Sequence, residues 1–208
     1  METTLNEVNR SGLEAEAAVP GGTGIAERDP AEGAARDFLL ALGVDLSSAA
    51  RSDTPLRMAR AYREMLTARP FEPTSFDRPD GDAHLVVVRD ISFLSICEHH
   101  VLPFRGLAHI GYVPSRQILG LSKLARCVEL ISRRLQVQER LTEEIADWIE
   151  VHADATGVGV VITAEHLCMT LRGAEAAGSQ TITTVLRGGI RFDPELRHEF
   201  MIRTGRVG

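Results

Sequence analysis

The chain has 208 residues, 44% hydrophobic and 25% charged, an average composition able to bury one sizeable core. No stretch approaches the ~20 apolar residues a bilayer span needs, and the acidic Met1 to Arg10 start lacks the basic, then apolar, build of a secretion signal. A net charge of −6 argues against general nucleic-acid binding, and a cytosolic setting makes metal binding or burial the expectation for Cys97, Cys127 and Cys168 rather than a disulfide.

The charge is unevenly spread. Residues 1 to 34 hold seven acids against two arginines, whereas Ser115 to Leu141 carries six bases against Glu129 and Glu139. Met1 to Arg28 is rich in Ala, Gly and Glu without a sustained apolar period, so residues 1–28 read as a disordered acidic tail. Asp29-Pro30-Ala31-Glu32 places a capping acid, a first-turn proline and Glu32 at a helix start, and that helix should run to Gly43. Thr54-Pro55 repeats the signal for a second helix, to about Ala68, before the proline-rich loop Arg69 to Asp82. Residues 29–82 thus form an N-terminal helical segment.

From His84 the pattern turns β-branched. His84 to Ile91, Phe93 to Cys97 and Gly106 to Val113 read as antiparallel strands. Ser122 is a candidate cap for a helix with Leu124, Val128, Ile131 and Leu135 on one stripe, and a second stripe carries Leu141, Ile145, Trp148 and His152. Cys127 sits beside the first stripe and reads as a buried thiol. Gly157 to Ala164 and Thr181 to Leu186 are further strands, and Asp193-Pro194-Glu195 opens a short last helix. Strands, a helix pair, then strands predict an α+β fold for residues 83–208, an antiparallel sheet with helices on one face.

Chemistry concentrates in two places. Cys97-Glu98-His99-His100 leaves a strand as a tight loop, with Cys97 and His100 at a common zinc-ligand spacing. Glu165-His166-Leu167-Cys168 continues another strand, where alternation would turn His166 and Cys168 to the same side. Cys97, His100 and Cys168 would leave a fourth position for water; adding His166 would instead close a structural site. Spacing leaves both readings open. Ser122-Lys123-Leu124-Ala125-Arg126 starts a helix, where backbone N–H groups favour an anion, and Arg172 would share a strand face with Cys168 if the strand persists. Gln138-Glu139 opens the next helix, where a carboxylate is favourable in any case, so Glu139 reads either as an ordinary helix start or as an acceptor for the N–H donors of a ligand.

Four segments in order resemble the GTP cyclohydrolase I family: Ser95-Ile96-Cys97-Glu98-His99-His100-Val101-Leu102-Pro103-Phe104; Gly120 to Arg126; Arg134 to Thr142; and His166-Leu167-Cys168-Met169 with Arg172-Gly173. The likeness spans roughly Asp53 to Phe200. It implies a tunnelling fold whose sheets close into barrels between subunits, usually as a homodecamer, with active sites at subunit boundaries. It implies Zn2+ on Cys97, His100 and Cys168, with His99 and His166 as proton-transfer groups. It further implies Gln138 and Glu139 on guanine, Ser122 near the ribose, and Lys123, Arg126 and Arg172 about the triphosphate of GTP, with Arg57 as a further phosphate contact. The activity implied is conversion of GTP to 7,8-dihydroneopterin triphosphate. Arg105, where the family often has a less basic residue, and Thr181 to Thr184, where serine usually closes the segment, depart from the pattern. Neither removes a named catalytic group, but they keep in view a paralogue feeding a specialised pterin or deazapurine pathway; a catalytically silent subunit with a structural zinc is a separate alternative.

Overall fold

A computed structural model describes residues 29–78 and 83–205. The acidic tail expected over residues 1–28 lies outside the described residues. The chain forms two compact units, Met1–Leu56 and Arg57–Gly208.

Helix α1 spans Pro30–Ala41, and Asp29 caps it through Oδ1, which accepts from Ala31 N at 3.0 Å. Leu42 closes it, and Gly43 leaves at φ +77°, a conformation open to glycine for want of a Cβ. Helix α2, Thr54–Leu66, stops two residues before its expected end, in the run towards Pro70.

The second unit is built on a five-stranded sheet of β2 (Val86–Cys97), β3 (Pro103–Pro114), β5 (Leu135–Gln136), β6 (Ala155–His166) and β7 (Thr181–Arg187), in the order β5-β2-β3-β6-β7. All neighbours are antiparallel except β5, which runs parallel to the end of β2. β1 (Ser75–Asp77) and β4 (Gln117–Leu119) make a separate two-stranded ladder that the sequence did not announce. The two strands expected at His84 to Ile91 and Phe93 to Cys97 are one. A register shift between Val88 and Ile91, with Asp90 at φ +61°, forms a bulge that His109 supports by accepting Asp90 N–H on Nδ1 at 3.2 Å.

Helices α3 (Leu121–Ser132) and α4 (Gln138–His152) cover one face. Leu124, Cys127, Val128, Ile131, Leu141, Ile145 and Ile149 pack there with Ile110, Val158, Val160 and Ile162 of the strands. Each fully buried Leu or Ile contributes about 1.5–3 kcal/mol, so the helical stripes place most of this layer. Leu135, expected on the first stripe, lies instead in β5 beyond the end of α3 and is exposed, because the helix stops at Ser132 and the chain returns to the sheet. Cys127 is fully buried, and desolvation holds its thiol well above the ordinary value, as suits an inert core group.

The opposite face is partly covered as well. Residues Ile190 of α6 (Gly188–Phe192) and Phe200 of α7 (Pro194–Arg203) join Leu85, Val113 and Val161 in a second cluster. Phe200 fits because Gly111 and Gly159, paired across β3 and β6, leave the sheet surface bare beneath its ring. A Cβ on Gly111 would lie 2.5 Å from Phe200 Cδ2. Gly111→Ala is therefore expected to cost about 1–3 kcal/mol through overpacking, read as a lower urea midpoint with an unchanged slope. An unaltered midpoint would contradict this packing.

Candidate active site and metal centre

Strand β2 ends at Cys97, and the chain turns sharply through Glu98, His99 and His100 before β3 begins. Val101 N donates to Cys97 O at 2.9 Å, Cys97 N to Leu102 O at 2.8 Å, and Val101 sits at φ +52°. Two further ties fix this loop from outside. Glu98 N donates to Gln136 O at 3.1 Å, and the Glu98 carboxylate accepts from Arg140. Buried Gln136 completes the brace, accepting from Arg140 Nε at 2.8 Å and donating to Glu144 at 2.6 Å.

Strand β6 stops at His166, and Leu167–Thr170 winds into a single helical turn, α5. Strand alternation therefore does not carry His166 and Cys168 to one side. The turn delivers Cys168 instead. Nor does the strand persist to Arg172, which is exposed in the following turn, yet close enough to Cys168 to favour its thiolate.

The sulfurs of Cys97 and Cys168 and a ring nitrogen of His100 all lie within 4.8 Å of one another, and Cys97 Sγ is 3.7 Å from His100 Nδ1. Tetrahedral zinc with standard ligand distances separates a sulfur from a nitrogen ligand by about 3.5 Å, so this trio fits the ion in both donor type and spacing. Burial first, then the neighbouring Cys97 sulfur, pushes the Cys168 thiol up. Two thiols crowded together resist double ionisation, and a bound dication removes that penalty.

His166 stands outside this trio among the described residues. Its Nε2 lies 2.8 Å from Gln138 Oε1, and its ring stacks on Phe104 at 4.5 Å with planes 4° apart. The four-ligand closed site thus lacks its fourth member. Burial pushes the His166 imidazole below its usual range, with the Glu139 carboxylate opposing. His99 is exposed, its Nδ1 3.9 Å from Cys97 Sγ.

The other sequence candidates separate into two groups. Glu139, exposed in the first turn of α4, is near enough to raise the His166 pKa. Gln138 is instead buried, 1% exposed, with its amide engaged by protein groups. Ser122 and Arg126 line a different place, a groove of about 760 Å³ beside the β2 bulge, together with Arg89, Arg105 and Arg133. None of the metal trio lines that groove. Lys123 lies 5.9 Å over the Phe71 ring, and Arg57 is exposed on α2. Gly120, not Ser122, is the residue that caps α3, and no side chain makes the capping bond. Sequence reasoning missed the Phe104 stack and the Arg140 brace. Both depend on how segments distant in sequence meet, the first on strand register and the second on the packing of α4 beside the Cys97 loop.

Fold and site together define a mixed α+β protein that gathers two thiols and an imidazole at one end of a largely antiparallel sheet, with a second, half-buried histidine nearby in the chain. A family model described as GTP cyclohydrolase I matches residues 31–204. The GTP cyclohydrolase 1 of Aquifex aeolicus (strain VF5) is 46% identical over 175 residues, covering 84% of this chain and 95% of that protein. That of Streptomyces coelicolor is 47% identical over 178 residues, covering 82% and 87% respectively. Among solved structures, the archaeosine synthase QueF-Like in the apo form aligns at a TM-score of 0.44 and 15% identity, over 52% of this chain and 98% of that one, too slight a likeness to decide topology. The chain belongs to the GTP cyclohydrolase I family and is an enzyme of that family.

Proposed function

We propose that the protein is a zinc-dependent hydrolase that converts GTP to 7,8-dihydroneopterin triphosphate, releasing C8 of the purine as formate. The convergence of Cys97, His100 and Cys168 beside an unligated His166 carries this reading. When bound, zinc supplies the Lewis acidity that makes water nucleophilic near neutral pH. The protein's own groups do the rest. Glu139 accepts guanine N–H donors, and His99 donates a proton to N7 as water adds at C8 and the first C8–N bond breaks. A second hydrolysis at C8 frees formate. His166 then takes and returns protons while the ribose rearranges and closes onto the exposed amines with loss of water. Phosphate contacts from Lys123, Arg126 and Arg172 position GTP rather than break bonds.

Ser122 and Arg126 face a groove of their own, which favours a site completed by a second copy of the chain, in a large homo-oligomer whose sheets join into barrels. β7 forms one edge of the sheet and is open to such pairing. Light scattering is expected to give a mass many times 22.7 kDa, and an active monomer would rule the assembly out. Among the described residues no helix is long and apolar enough to cross a membrane. The functional test is incubation of the zinc-loaded protein with GTP. Formate and a product that fluoresces as a pterin after oxidation are expected; neither appearing would leave the silent structural-zinc subunit as the better reading.

A further inference from the structure

Gln138 opens helix α4 with its side chain turned into the protein, where donors and acceptors can be assigned one by one. Its Nε2 lies 3.2 Å from Ile162 O, 3.0 Å from Thr181 O and 3.1 Å from Thr183 Oγ1. Two of these are backbone carbonyl oxygens, which only accept. A flipped amide would set Oε1 against both, so the nitrogen must point there and the oxygen towards His166. The neighbouring hydroxyls agree. Thr142 Oγ1 donates to Gln138 O at 2.7 Å, so its 2.6 Å contact with Thr183 Oγ1 is donated by Thr183, whose lone pairs remain to accept from Gln138.

The consequence falls on the histidine. Gln138 Oε1 has no hydrogen, so the 2.8 Å contact must be donated by His166 Nε2. A neutral imidazole carries one N–H. With that hydrogen fixed on Nε2, the Nδ1 lone pair is the ring's basic site, and the Phe104 stack holds the plane in which it points. We propose that Gln138 is a positioning residue whose side chain locks His166 as the Nε2–H tautomer and so selects Nδ1 as the atom that accepts protons. The catalytic half of this statement rests on His166 moving protons in GTP hydrolysis; the tautomer half does not.

The test uses the full-length, zinc-loaded protein with nitrogen-labelled histidine. Proton–nitrogen NMR is recorded above the imidazole titration range, and the His166 signal is assigned by its loss in His166→Asn. His166 is expected as pure Nε2–H in the parent. Gln138→Leu should give a mixture of tautomers with unchanged zinc content and KM for GTP, and a kcat lower by roughly 10- to 100-fold, the usual effect of losing a partner that orients a site residue. Thr183→Val leaves both carbonyl acceptors in place and should keep the parent tautomer, which provides a second reading if Gln138→Leu does not fold. A mixed or Nδ1–H signal in the parent, or Gln138→Leu raising KM at constant kcat, overturns the proposal. A parent protein that shows pure Nε2–H but releases no formate sinks the hydrolase reading and leaves the tautomer assignment standing.

Discussion

Cys168→Ala is expected to strip the bound zinc and abolish formate release together, with the fold intact. Cys168 supplies one of two sulfurs in a trio whose ligand atoms lie within 4.8 Å, and two remaining ligands make a poor zinc site. The residue sits on the short turn α5, half-buried, outside the ladders that hold the sheet. Circular dichroism should therefore match the parent while metal analysis falls from one zinc per chain towards none. Full zinc content in the variant, or activity without zinc, would remove Cys168 from the centre.

His99→Ala should show the reverse division, with zinc retained and turnover lost. His99 adjoins the ligand His100, but its ring lies 6.2 Å away at 79° to that of His100, and the residue is not part of the convergent trio. Its exposed position on a loop braced by Arg140 and Gln136 suits a group that meets substrate. Glu139, Lys123, Arg126 and Arg172 remain in the variant, so GTP should bind with near-parent affinity. General acid–base catalysis contributes roughly 100- to 10,000-fold, and kcat should fall by that order. His166→Ala serves as the control for a four-ligand centre and should keep its zinc. Zinc loss in His166→Ala combined with full activity in His99→Ala would reverse the two assignments.

The helices were largely legible because their signals are local. Asp29-Pro30 and Asp193-Pro194 start helices as capping chemistry requires, and the stripes on α3 and α4 bury the faces their spacing marks, save for Leu135, which lies past the end of α3. The candidate metal-binding cysteines and histidine were legible because residue type restricts what can hold such an ion. Other features were not. A histidine followed two residues later by a cysteine looks the same whether the strand continues or winds into a turn, and the structure chose the turn at Leu167–Thr170. Ser122 has the chemistry of a cap, yet Gly120 takes the position, since the path out of β4 sets where the helix begins.

The sequence by itself determined the α+β class, the proline-marked helix starts and most of the buried stripes, all properties of residue type and short-range periodicity, and it narrowed the candidate metal ligands to a few cysteines and histidines. Only the tertiary structure decided what those residues meet. Nothing near Gln138 in sequence marks the partners of its side chain, yet strands β6 and β7 bring Ile162 O, Thr181 O and Thr183 around its amide, with His166 on the other side. In the same way, β3 and β6 pair Phe104 with His166 across the sheet, and Gly111 with Gly159 beneath Phe200. The physical reason is common to all of these: a buried amide, an imidazole and a bare patch of sheet take their roles from partners distant in sequence, and strand register alone sets which partners arrive.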